Sequence, residues 1–193
     1  MPSVLGHSIL GVSSAQIFSI PKKHALSVLV ISIICSVFPD VDVLGYKYGV
    51  LYDSLWGHRG FTHSLVFSFL LPSLFTLFFL KKNTPLHITL KIFIIFLVSS
   101  VSHSILDAFT NGGLGVAFFS PFSEERIFFD YQPIQVSSFR VSDFLTARGL
   151  SVIKSEIIFI LLPTVLILVI ISIIKKITKR YERKTAEKVK NRL

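Results

Sequence analysis

An all-α integral membrane bundle of about five transmembrane helices is the fold this sequence predicts, and three observations carry it. The 193-residue chain is 51% hydrophobic and only 16% charged, with a mean hydropathy of +0.68. That composition belongs with membrane proteins. Apolar runs that approach or reach the ~20 residues needed to cross a bilayer recur along the chain. Lysine pairs at Lys22-Lys23, Lys81-Lys82 and Lys175-Lys176 mark every second boundary between them, as the positive-inside rule expects of cytoplasmic ends.

Residues 3–20 are weakly apolar and Ser-rich, carry His7 and are closed by Pro21. Gly6, Gly11, Ser13 and Ala15 allow close approach to another helix, which suits the inside of a bundle; a re-entrant segment is the alternative. From Ala25 an apolar run leads to Phe38 and stops at Pro39-Asp40-Val41-Asp42, because the proline ring disfavours helical geometry before it and supplies no N–H. Residues 43–60, with four glycines and Trp56, read as an interfacial loop. Phe61–Leu80 is the clearest span, with Pro72 a candidate kink. Residues 88–108 form another, with Ser99, Ser100, Ser102, His103 and Asp107 gathered near one end. A long segment over 109–153 is too polar to cross. Ile157–Ile174 is the last span.

The formal charge of +9 is a tail. From Lys175 to Leu193 nine Lys or Arg stand against Glu182 and Glu187, a net +7. A basic segment directly after an apolar helix is a cytoplasmic anchor to anionic lipid headgroups, so nucleic acid is not expected as a partner. The chain divides into a membrane-embedded domain over 1–176 and a basic tail over 177–193. Cys35 is the single cysteine, which excludes a disulfide framework and a thiolate zinc site within one chain.

Orientation follows from the lysine ledges: N-terminus outside, C-terminus in the cytoplasm, and a long outer-face loop between the fourth and fifth helices. Counting about 1.5 Å of rise per residue from the cytoplasmic ends puts His7 roughly 21 Å up, Asp40 roughly 25 Å, His63 roughly 27 Å and His103 roughly 22 Å. Four helices therefore deliver ligand-type residues to one layer.

His103 and Asp107 are spaced i, i+4 and project from one helix face. Imidazole with carboxylate suits zinc first, with manganese or iron(II) as alternatives, and a site without thiolates is expected to be catalytic, with open positions for water. Asp40 and Asp42 lie just past a helix end, where a short loop can turn both inward, and two carboxylates with several histidines can hold two metals about 3.5 to 4 Å apart. One or two ions are expected. Helix capping and solvation are the bland reading of the two aspartates. His58 and His63 share a site only if His58 lies in the preceding loop, which Gly60 permits. Thr62 or Ser64 can cap the following helix, and Arg59 can hold a phosphate or a carboxylate, or rest among lipid headgroups. His7 has the weakest local case and depends on its depth. His24 and His87 fall at the opposite end. Arg126, Arg140, Asp143, Arg148 and Glu156 lie in or beside the long segment, with solvation as their default.

The metal set is thus His7, Asp40, Asp42, His63, His103 and Asp107, with Arg59, Asp42 and His58 in catalytic roles. Taken in order, His7, Phe38-Pro39-Asp40-Val41-Asp42, His58-Arg59-Gly60-Phe61-Thr62-His63-Ser64, and His103-Ser104-Ile105-Leu106-Asp107 with Thr110, Gly113 and Ser120-Pro121-Phe122 resemble the YdjM family. That family is described as LexA-regulated, inner-membrane-associated proteins predicted to be metal-dependent hydrolases. The resemblance covers most of residues 1–165, and its His-Arg-Gly-x-Thr-His-Ser core is the specific part. It implies a metal-dependent hydrolase in the bacterial inner membrane. The His, Asp, His, His, Asp order is also distantly similar to zinc-dependent phospholipase C, which favours a phosphoester of a membrane lipid or other amphiphile, cleaved by metal-bound hydroxide. This chain lacks the histidines of a three-metal member.

Other classes compete. An ion or metal transporter should carry ionisable or broken-helix features through the inner half of the membrane, which here is almost entirely Ile, Leu, Val and Phe. An intramembrane metalloprotease would need a His-Glu-x-x-His helix, and the sequence has none. A non-catalytic assembly protein predicts tolerance of His→Ala changes.

Overall fold

The computed structural model describes residues 1–81, 84–138 and 141–190. Lys82, Arg140 and the last three residues of the basic tail lie outside the described residues. Five helical rods make the bundle: α1 (Val4–Ser14), α2 (Lys22–Val37), α3 (Leu65–Lys81), α4 (Leu86–Ala108), and α5 (Ala147–Glu156) joined through a π-helical turn at Ile157–Leu161 to α6 (Leu162–Lys190). The described residues form no strand, only isolated bridges between Thr110 and Ile134 and between Val116 and Ile127. Three stretches are long and apolar enough to cross a membrane, Lys22–Tyr48, Leu86–Ala108 and Ala147–Arg183, while Val4–Ser14 and Leu65–Leu80 are shorter apolar helices.

The first rod is shorter than its sequence suggests. Ser3 caps it by accepting the Gly6 N–H at 3.1 Å. It ends at Ser14, where Ser13 and Ser14 hydroxyls donate back to the Ile9 and Leu10 carbonyls. Eleven residues rise only about 16 Å, so α1 reaches partway into the bundle where the expectation was a helix to residue 20. It lies tightly on α2: a Cβ at Gly11 would stand 2.5 Å from Ser36 Oγ and 2.8 Å from Ile33 Cα.

Below α1 an apolar core joins α2, α3 and α4 through Val28, Cys35, Leu71, Phe79, Ile92, Ile95 and Phe96. The hydroxyls of Ser32 and Thr76 donate to carbonyls of their own helices, which lets them be buried at little cost. At the other end the chain becomes irregular. Phe38–Tyr48 is a 3₁₀ stretch and Phe61–His63 a single 3₁₀ turn, so α3 starts at Leu65, four residues later than the apolar pattern suggests. Ser64 Oγ caps it by accepting the Phe67 N–H at 3.0 Å.

The long segment after α4 is a packed cap. Ala108, Val116 and Phe118 form a small core with Ile127 and Phe129, and the Leu65 and Phe129 N–H groups donate to the Phe118 and Ala108 carbonyls. Arg126 ties it down by donating to the carbonyls of His58 and Tyr52 at 2.9 and 2.8 Å.

Candidate metal centre

Five ligand-type side chains from four parts of the chain meet beneath this cap. His7 comes from α1, Asp40 from the 3₁₀ stretch after α2, His63 from the turn before α3, and His103 and Asp107 from α4. All but Asp40 are fully buried, and its carboxylate is 8% exposed. His63 Nε2 faces His103 Nε2 at 2.9 Å, Asp107 Oδ2 at 3.4 Å and Asp40 Oδ1 at 3.5 Å; His103 Nε2 stands 3.5 Å from the same Asp40 oxygen. His7 stacks on the His103 ring with centroids 3.9 Å apart, and its Nε2 lies 3.4 Å from Asp107 Oδ1. The Met1 amino nitrogen stands 4.0 Å from that oxygen.

The protonation pattern of the two central imidazoles follows from what lies behind them. His103 Nδ1 is 2.8 Å from the Ser36 carbonyl, an acceptor left open because α2 gives way to the 3₁₀ stretch one residue after Val37. A carbonyl only accepts, so Nδ1 carries the proton. His63 Nδ1 is 3.1 Å from Asp42 Oδ2, which fixes its proton in the same way. In the neutral rings both Nε2 lone pairs then point at one another across 2.9 Å. Both oxygens of Asp40, both of Asp107 and both nitrogens of His7 lack a hydrogen-bond partner of good geometry.

This arrangement could hold a metal ion. Ligand bonds of 2.0–2.2 Å in a tetrahedron separate the ligand atoms by about 3.3–3.6 Å; the pairs His63–His103, His63–Asp40, His63–Asp107 and His103–Asp40 stand at 2.9–3.5 Å, and one ligand atom from each of the four residues lies within 4.8 Å of the others. Three buried carboxylates, Asp40, Asp42 and Asp107, face one guanidinium, Arg59, and the Met1 amino group near Asp107, so the side chains and amino group together leave an excess of negative charge. A cation would offset it, and uncompensated charge at this depth would be strongly unfavourable. A proton shared between the imidazoles would quiet the lone pairs but leave Asp40 unpartnered.

Asp42 is placed differently from its neighbour two residues earlier. Its carboxylate accepts from His58 Nδ1 at 2.7 Å, Thr62 Oγ1 at 2.6 Å and the Arg59 N–H at 3.2 Å, and stands 3.1 Å from His63 Nδ1, which is also 3.1 Å from Thr62 Oγ1. Asp42, expected both as a metal ligand and in a catalytic role, and His58, expected in a catalytic role, stand together on the Nδ1 side of His63. Asp42, His58 and His63 do form a second group of metal-capable atoms, but its short contacts are hydrogen bonds. Burial pushes the His58 imidazole below its ordinary range against the pull of Asp42, so the neutral ring donates.

Arg59 is 1% exposed and sits at φ 63, a left-handed conformation rare for its type. Asp42 holds its N–H, and its carbonyl accepts from the Ala117 N–H at 2.9 Å. Gly60 follows because a Cβ there would be 2.4 Å from the Leu55 carbonyl oxygen. The guanidinium pairs through Nε with Asp107 Oδ2 at 3.0 Å and donates at 2.8 Å to the Gly112 carbonyl and to Thr110 Oγ1. It therefore anchors a candidate ligand. His24 and Thr84 meet at the opposite end.

Two residues escaped the sequence reading. Glu156, expected in a solvated segment, is buried and accepts from the Ser3 backbone and hydroxyl, which fixes the start of α1 and so the placement of His7. Ser36 contributes through its carbonyl, which no side-chain pattern signals. For Glu156 the clue was its position at the mouth of the last apolar run.

Comparison with known proteins agrees with the motif. A family model described as YdjM inner membrane protein matches residues 1–179. Inner membrane protein YbcI of Escherichia coli (strain K12) is 38% identical over 174 residues, covering 87% of this chain and 95% of the relative. No solved structure matches. With its apolar rods and its matched motif, the chain belongs to the YdjM family of inner membrane proteins.

Proposed function

We propose that the chain is a membrane-embedded metal-dependent hydrolase that cleaves a phosphoester of a lipid or other amphiphile. The observation that supports it best is the pair of Nε2 lone pairs facing each other at 2.9 Å amid unpartnered Asp40 and Asp107 oxygens. A divalent ion, zinc first, held by Asp40, His63, His103 and Asp107 with His7 beside them, would supply Lewis acidity and a water acidified to near neutral pH. Asp42 holds the His63 ring in the tautomer and angle that ligation needs. Arg59 holds Asp107 in place and carries positive charge to the edge of the site, where a phosphoryl oxygen would gain it. The cap keeps bulk water off these groups.

The centre lies at the end of α2 and α3 opposite Lys22 and Lys81. With those lysines in the cytoplasm, it opens to the outer leaflet, N-terminus outside and basic tail inside, at headgroup depth. Purified protein with mixed phospholipids and polyprenyl phosphates should release a water-soluble or dephosphorylated product, read by mass spectrometry, that a chelator abolishes. Full metal content without any chelator-sensitive product would favour a non-catalytic assembly protein. A second reading, ion passage, draws on Ser68, Ser100 and Ser104, fully buried hydroxyls without partners, and predicts metal uptake into proteoliposomes.

A further inference from the structure

Arg59 also lines a cavity of about 300 Å³ whose wall includes Tyr52, His58, Gly113, Ser137 and Arg148. Among the described residues two guanidinium groups line it and no carboxylate does. The Arg59 guanidinium donates once from each terminal nitrogen, to the Gly112 carbonyl and to Thr110 Oγ1, and ion-pairs through Nε with Asp107, which leaves one N–H on each terminal nitrogen. Gly113, at φ 94, keeps this wall open: a Cβ there would stand 2.6 Å from the Tyr52 hydroxyl and 2.9 Å from Arg59 Nη1. The Tyr52 oxygen receives the Leu114 N–H at 3.4 Å, so its own proton can be donated elsewhere.

We infer that this cavity is the binding site for the phosphate-bearing headgroup of the substrate, gripped by Arg59, Arg148 and the Tyr52 hydroxyl. The inference rests on the hydrolase reading and names the groups that would select its substrate. Guanidinium is the side chain best matched to phosphate, through paired charge-assisted N–H donors. The volume lies at the lower edge of the roughly 300–1,000 Å³ of ligand pockets, which admits a headgroup and leaves acyl chains outside among the helices. Arg59 joins the two places. One edge of the guanidinium rests on Asp107 and the other faces the cavity, so a phosphate held there lies beside the candidate metal centre. Arg148, exposed at the start of α5, is the second guanidinium in the cavity lining.

The test uses the full chain in detergent, with and without bound zinc, and calorimetric titration with two probes, inorganic phosphate and dihexanoyl phosphatidic acid. Arg148→Gln should weaken binding by about tenfold or more, and Tyr52→Phe by a smaller factor of about threefold to tenfold. Lys154→Gln, which removes a charge from the exposed face of the same helix, should change neither. Zinc content should stay at the wild-type level in all three variants. Weakening for both probes assigns the site to phosphate in general, and weakening for phosphatidic acid alone assigns it to a lipid headgroup; either supports the proposal. Equal binding by Arg148→Gln and Lys154→Gln, or no binding of either probe to folded wild-type protein, overturns it. A wild-type chain that takes up no zinc yet loses phosphate with Arg148→Gln would keep the anion site and sink the hydrolase reading.

Discussion

The two ends of the bundle solve burial in opposite ways. At the end below α1, Phe79, Ile92, Ile95 and Phe96 are completely buried in an apolar cluster, and the nearby hydroxyls of Ser32 and Thr76 are satisfied within their own helices. At the other end the side chains bearing three carboxylates, three imidazoles and a guanidinium are at most 8% exposed, and several of their atoms have no hydrogen-bond partner. The first arrangement stabilises the fold whatever is bound. The second is stable only when something of opposite charge joins it, so the difference separates the part that holds the protein together from the part that acts.

Variants can break this division. Phe96→Ala removes a fully buried ring and should cost about 3–5 kcal/mol, lowering the thermal midpoint in detergent while metal per folded chain stays unchanged. Loss of metal in that variant would show that the two ends are not separable. Asp42→Asn takes the charge from behind His63 and should weaken metal affinity by about 10- to 100-fold, with the apo protein's midpoint moving less than in Phe96→Ala. Chelator titration measures it, and an unchanged affinity would deny Asp42 its orienting role.

Ser3→Ala removes the cap of α1 and one of the bonds to Glu156 and should cost about 1 kcal/mol, read by thermal unfolding. Thr62→Val gives up one of three hydrogen bonds to Asp42 and should cost about 1 kcal/mol or less, with metal affinity falling less than in Asp42→Asn. The reverse order of those two affinities would mean that Thr62, rather than Asp42, sets the His63 ring.

The apolar end was legible from the sequence because hydropathy and lysine ledges report burial and helix ends directly. The meeting of His7, Asp40, His63, His103 and Asp107 was legible too, since helical rise converts residue counts into depth. Rotation was not. Asp40 turns toward His63 while Asp42 turns behind it, and that depends on the phase of a 3₁₀ stretch that the Pro-Asp-Val-Asp pattern does not specify. Glu156 was hidden for a related reason: its polar partner is the start of α1, more than 150 positions away in the chain. The long segment read as a loop because its short apolar pieces lack a helical or strand period, yet they pack on one another and on α4.

The claim that the two ends differ in what they need is tested most directly by the metal itself. Chain purified without added metal chelators should carry about one divalent ion per chain by elemental analysis, and X-ray absorption should show nitrogen and oxygen ligands at about 2.0–2.2 Å if the ion is zinc. The His63→Ala, His103→Ala double variant should carry essentially none while remaining folded, because the apolar end is untouched. A folded double variant that keeps its full complement of metal, or a wild-type chain that never takes up a divalent ion, would contradict the account.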